Sequence, residues 1–283
     1  MVSSDIQELQ VGDLGWAYRE CCPNTSSGKP PVVLLHGLVS QSYSWRDVMP
    51  ALADRGFRAI APDWIGHGFS AKPDRRQFDY SPDGYARALG DLLDSLELER
   101  VSLVVQGFLG AAGLLYATAH ADRIAKLVVL NAPLPPAAAM PMAIKMMGWP
   151  AVGEIMTQDP LLVDRTLEGG GPYQVDDDDL DVYRRPFLKS SDVGRSLMWA
   201  MRAMKMPKLT AQLAQGFQTW ERPTLVAWGT ADPWLSAAQA KAFAQGLSDG
   251  EYVELDEVGH YAQEDWADKV SEAVVPFLRR QEL

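Results

Sequence analysis

Between residues 31 and 259 the chain keeps alternating a short apolar run with a longer stretch of helical periodicity. The runs are PVVLLHG (31–37), FRAIAPDW (57–64), VSLVVQG (101–107), AKLVVLNAP (125–133), PTLVAWG (223–229) and EYVELDEVG (251–259). Most are rich in Val and Leu without strict alternation, the pattern of parallel strands covered on both faces. In SPDGYARALGDLLDSLEL, between the second and third runs, Ser81 stands at a capping position and Pro82 in the first turn. Tyr85, Leu89, Leu92, Leu93 and Leu96 make one apolar face of that helix. A βαβα order of this kind implies a mostly parallel, doubly wound α/β sheet. Ahead of it, IQELQVGDLGWAYREC sets turn residues between two strand-like runs, an antiparallel hairpin on the sheet edge.

The alternation fails over residues 134–216, where Pro-rich PLPPAAAMP, Gly-rich LEGGGP, acidic DDDDLD and helical DVGRSLMWAMRAMKM follow one another. We read 134–216 as an α-helical lid inserted between two core strands, with 1–133 and 217–283 forming the core. Nine of the 11 methionines fall in this lid. Methionine is flexible and polarizable, so such a concentration either lines an adaptable apolar pocket or fills gaps between small helices. Met198 and Met201 are the candidate pocket residues. The run Asp176–Asp179 reads as a solvated loop and not as a metal site, because hard cations need carboxylates converging from a turned loop.

Charge and cysteines narrow the partners. Against 26 Lys and Arg stand 37 Asp and Glu, a net charge of -11, which repels nucleic acid and anionic membrane surfaces. The two cysteines, Cys21 and Cys22, are adjacent and cannot staple distant elements, so a reducing, cytoplasmic compartment is expected. MVSSDIQELQ lacks the apolar run of a secretory signal. No window approaches the ~18 apolar residues of a membrane span. No metal or cofactor is expected, and the expected partner is a hydrophobic small molecule.

The stretch LVVQGFLGAAG (103–113) reads as a buried strand, a sharp turn and a small-residue helix, the setting of a catalytic nucleophile. The residue at the tip of the turn is Gly107. Together with LLHGLVSQSYSW, APDWIGHGFSAKPD, LVAWGTADPW and VGHYAQEDW, this stretch stands in the order and spacing of the α/β-hydrolase fold. The chain most resembles the haloalkane dehalogenase and epoxide hydrolase branch. It is also similar to hydrolase-like chains of photosynthetic organisms that carry Gln-Gly-aromatic at this turn.

That resemblance implies definite roles. Asp232 and His260 match the acid and base of a triad, and Gly107 occupies the nucleophile position, which is thereby vacant. The backbone N–H groups of Leu38 and Phe108 match the oxyanion-hole donors. His36 and Gln106 border the same pocket. Two departures accompany the glycine. Where such turns carry small residues two before and two after the nucleophile, this chain has Val105 and Leu109. A nucleophile with a Cβ holds positive φ at a cost of ~1–3 kcal/mol that glycine does not incur, so larger flanking residues become tolerable. Further, the Trp or Asn donors that clamp a halide are replaced by Phe108 and Leu38, so dehalogenation is not expected. Ser40, Ser42, Tyr43 and Ser44 are the nearest hydroxyls in sequence, but none stands on the elbow.

Three readings follow. In the first, a hydrolase-like protein without its covalent nucleophile, a pseudoenzyme, binds a hydrophobic small molecule under the lid. In the second, the His260–Asp232 pair acts as general base in a cofactor-free hydrolase or lyase. In the third, an ordinary hydrolase has had its nucleophile substituted. Coupled change at Leu109 weighs against the third, and retention of the dyad keeps the second close to the first.

Overall fold

The computed structural model describes residues 6–25 and 28–280. Eight strands form one sheet in the order β1-β2-β4-β3-β5-β6-β7-β8. β1 (Gln7–Val11) and β2 (Leu14–Cys21) make the edge hairpin, and β2 pairs antiparallel with β4 (Ala59–Pro62). From β4 onward every pairing is parallel, through β3 (Val32–Leu35), β5 (Val101–Gln106), β6 (Ile124–Leu130), β7 (Thr224–Gly229) and β8 (Gly250–Leu255). This is the doubly wound α/β arrangement that the sequence implies.

The central strands lack a polar face because both faces are covered. Val33, Leu35, Leu103, Val105 and Val129 enter one apolar core, while the alternate residues Val32, Leu34, Val104, Val128 and Leu130 enter the other. On the first face lie α2 (Pro82–Ser95) and α3 (Gly107–Ala119), contributing Leu89, Leu92, Leu93 and Leu114. Ser81 caps α2, its Oγ accepting from the N–H of Gly84 at 3.1 Å. The second face is covered by α1 (Val48–Ala53) and, at the end of the chain, by α12 (Ala267–Arg279), which bring Val48, Leu52, Val270 and Val274.

Between β6 and β7 run six helices: α4 (Met142–Met146), α5 (Val152–Met156), α6 (Leu162–Glu168), α7 (Asp177–Lys189), α8 (Asp192–Ala203) and α9 (Met206–Gly216). After β7 come α10 (Ala237–Gly246) and the short α11 (Ala262–Asp265). Two expectations are corrected in the helical segment. Asp177, Asp178 and Asp179 are not a solvated loop but the first turn of α7, where carboxylates meet the positive end of the helix dipole. DVGRSLMWAMRAMKM is not one helix: α8 ends at Ala203 and α9 begins at Met206. Pro207, in the first turn of α9, has no N–H to give to the carbonyl of residue 203, so a single helix cannot run through it.

No helix among the described residues is long and apolar enough to cross a membrane.

Candidate functional site

Parallel strands end their carboxyl edges side by side, and the loops leaving β3, β5, β6, β7 and β8 bring the candidate residues together. β5 ends at Gln106 in extended conformation, and the chain turns into α3 at Gly107 with φ +69°. Only glycine takes that conformation without strain. A Cβ built on Gly107 would lie 3.0 Å from the Cα of Gly37 and 3.2 Å from Nε2 of His260. Both distances are tighter than ordinary carbon contacts, and one of the neighbours is backbone.

The close approach of helix to strand lies further along α3 than the residues flanking the tip. A Cβ on Gly113 would fall 2.5 Å from Cδ1 of Leu35 and 2.8 Å from Cγ1 of Val105. Gly110 sits 3.5 Å from the Val105 backbone by the same measure. These glycines let α3 cross β3 and β5 closely, while Val105 and Leu109 remain fully buried.

Asp232 follows β7 and His260 follows β8. His260 Nδ1 lies 2.9 Å from Asp232 Oδ2, with both side chains about 1% exposed. The carboxylate is held from three further directions. Oδ1 accepts from the backbone N–H groups of Trp234 (2.8 Å) and Leu235 (3.2 Å), and Oδ2 accepts from Nδ2 of Asn131 (2.8 Å). With so many donors satisfied, the carboxylate orients the imidazole and turns Nε2 toward Gly107. Asn131 also accepts from the Gly229 N–H at 2.8 Å. Sequence reasoning missed it. Its signal is a polar residue ending the apolar run LVVLN, at φ +42°.

The imidazole of His260 is packed among rings: Phe108 stacks on it at 5.4 Å between centroids, Trp234 lies at 4.7 Å and Tyr261 edge-on at 5.1 Å. Trp234 and Tyr261 are further members that sequence reasoning did not single out. Tyr261 donates its hydroxyl to the Leu38 carbonyl at 3.1 Å. Gly259 donates its N–H to Asp265 Oδ2 at 2.7 Å, and burial pushes that carboxyl up to about 6.

Leu38 stands one residue beyond Gly37, and Phe108 is the second residue of α3; both are buried. N–H groups in the first turn of a helix have no partner within the helix. Gln106 ties β5 to the histidine loop, its Nε2 donating to the His260 carbonyl at 2.8 Å. Its Oε1 is buried without a hydrogen bond among the described residues and lies where a side chain on Gly37 would be. His36 uses both ring nitrogens on backbone: Nδ1 lies 2.7 Å from the Gly37 carbonyl oxygen, and Nε2 accepts from the Trp64 N–H at 3.1 Å. Burial holds its pKa below the ordinary value, so the ring is neutral and braces the turn.

Met198 and Met201 line two different cavities. Met201 stands in the wall of a cavity of about 920 Å³ formed by residues 136–140 with α4, α8 and α9. Met198 lines a separate one of about 580 Å³ with Arg75, Arg195 and Trp199. Neither wall contains Gly107, Phe108, Leu38 or His260. These two methionine-bearing cavities lie within the helical segment. Among the described residues no group of three His, Cys, Asp or Glu side chains converges as a metal site would require.

A mostly parallel sheet carrying a positive-φ turn after β5 and an Asp–His pair after its last two strands is the arrangement of the α/β-hydrolase fold. The family model described as alpha/beta hydrolase fold matches residues 30–166. A haloalkane dehalogenase of Mesorhizobium japonicum is 30% identical over 268 residues, covering 88% of this chain and 84% of the relative. Epoxide hydrolase A of Mycobacterium tuberculosis is 29% identical over 305 residues, covering 90% of this chain and 92% of the relative. The crystal structure of an ancestral haloalkane dehalogenase superposes with a TM-score of 0.82 at 28% identity, over 96% of this chain and 98% of that one. The chain belongs to the α/β-hydrolase superfamily, in its haloalkane dehalogenase and epoxide hydrolase branch.

Proposed function

We propose that this chain is a non-covalent member of its superfamily that binds an apolar small molecule in the cavity of its helical segment. The observation that carries the reading is Gly107: a glycine at the elbow whose Cβ position is already crowded by Gly37 and His260. Without an atom to attack a substrate, no ester or acyl intermediate forms at this turn. Binding is supported by the cavity of about 920 Å³, within the size range of small-molecule sites and walled in part by Met140, Trp149, Met201, Met204 and Met206. Soft side chains of this kind adapt to irregular apolar ligands.

Displacement of Nile red, a neutral apolar dye, tests the reading. Wild-type protein binds the dye and releases it to long-chain apolar competitors. Ala138, half-buried in the cavity wall, is the position to fill: Ala138→Trp weakens dye binding about tenfold or more, the scale set by ~1.4 kcal/mol of lost contact, with an unchanged melting temperature. Failure of the wild type to bind the dye, or unaltered binding by the variant, contradicts it.

A second reading rests on the dyad. Asp232 is hydrogen-bonded on both oxygens and His260 points its free nitrogen at the elbow, an arrangement suited to a general base acting on water or on an acidic C–H or O–H. It requires turnover that vanishes in His260→Ala.

A further inference from the structure

The cavity that Met201 lines is apolar within and cationic at its edge. Its wall carries Lys145, Arg202, Lys205 and Lys208, and no carboxylate. On a chain of net charge -11 four cations around one cavity with no acid among them run against the composition. Two of the four are engaged: Lys208 pairs with Asp83 at 2.8 Å, and Arg202 donates Nε to the Gly148 carbonyl at 3.0 Å. Lys145 and Lys205 are exposed, and neither forms an ion pair among the described residues. They approach the cavity from different elements, Lys145 from α4 and Lys205 from the break between α8 and α9.

We infer that the cavity takes an anionic amphiphile, a single apolar chain bearing a carboxylate or phosphate head, with the chain among the methionines and the head between Lys145 and Lys205. The inference rests on the reading that the cavity binds an apolar small molecule, and adds the charge of its head. An ammonium at the mouth of a low-dielectric cavity attracts an anion more strongly than one on open surface. Alkyl lysine stems lying along apolar walls leave the charged ends at the water boundary, where a head group sits. A neutral ligand of equal chain length fills the cavity but leaves both ammonium groups unused.

The test compares dodecanoate, dodecyl phosphate and 1-dodecanol, each below its aggregation concentration, with wild type and the Lys145→Gln/Lys205→Gln double variant. Wild type binds at least one anion about 5- to 10-fold more tightly than the alcohol, a range consistent with partly exposed charge pairs. Raising the salt concentration narrows that preference. In the double variant the preference disappears while the affinity for dodecanol stays unchanged. Which anion binds more tightly distinguishes a carboxylate from a phosphate head. Equal binding of alcohol and anions by wild type overturns the charged-head inference and leaves the apolar reading standing. If none of the three binds, both fail. Sedimentation with phosphatidylglycerol vesicles, without binding of either free anion, also overturns the inference, because the cationic face would then dock on a lipid surface.

Discussion

At residue 107 the chain turns from β5 into α3 through a positive-φ glycine, which the proposed reading takes as a nucleophile elbow without its side chain. Its φ is +69°, and the space where a Cβ would stand is bordered closely by the Gly37 turn and the His260 imidazole. Gly107→Ser therefore does more than add a hydroxyl. It introduces positive-φ strain and forces the 36–37 backbone or His260 to move. We expect a loss of about 1–3 kcal/mol in unfolding free energy by chemical denaturation, with no burst of acylation from p-nitrophenyl butyrate. A serine variant as stable as wild type that acylates rapidly would show that the space is open after all. Much of this site is legible in sequence because motif order carries it: Gly107 ends a strand-like run, and Asp232 and His260 stand within three residues after one. What stays hidden are the partners that reach it from elsewhere. Asn131 carries no motif, and its amide is seen to hold Asp232 only once β6 and β7 are known to be neighbours.

At the scale of elements, helix α7 docks on the core through a half-buried polar cluster. Arg46 makes two bonds to Glu264, at 2.9 and 2.8 Å, and one to Asp179 of α7 at 2.6 Å. Tyr43 donates to Asp179 at 2.7 Å, and Tyr183 of α7 donates to Glu264. Burial opposes the charge on Arg46, but hydrogen bonds and charge from Glu264 outweigh it and hold the guanidinium pKa above its ordinary value. Arg46→Met leaves the Glu264 carboxylate, only 5% exposed, without its cation. Removing one partner of such a pair costs about 3 kcal/mol or more, so the variant should melt markedly lower and be cut faster by protease within 177–189. Adding Glu264→Gln should recover part of the loss, because the second charge is then gone. An unchanged melting temperature in the single variant would mean that α7 is held by its apolar contacts alone. The acids of this helix illustrate where reading the sequence stops. A run of four aspartates looks like solvated loop, and only the tertiary partners Arg46 and Tyr43 show why Asp179 lies in a helix against the core. The core strands pose no such difficulty, because Val- and Leu-rich runs buried on both faces have few other places to go.

Across the whole molecule, the α/β-hydrolase fold is combined with a glycine, Gly107, at the positive-φ turn after β5 and with a cavity of about 920 Å³ in the helical segment between β6 and β7; on the proposed reading, that turn carries no nucleophile. The dyad is intact, which sets a sharp condition on the account. If the chain binds without covalent chemistry, removing the base must leave its behaviour toward reactive substrates unchanged. The decisive measurement is stoichiometric single-turnover product analysis, with intact-protein mass, of wild type and His260→Ala against 1-bromohexane, p-nitrophenyl butyrate and styrene oxide. These represent the halide, ester and epoxide chemistries open to such a fold. The account predicts no adduct mass and no product above the protein-free control in either protein, with Nile red affinity equal in both. Product formed by wild type and lost in His260→Ala would contradict it, and would make the His260–Asp232 pair a working catalytic base.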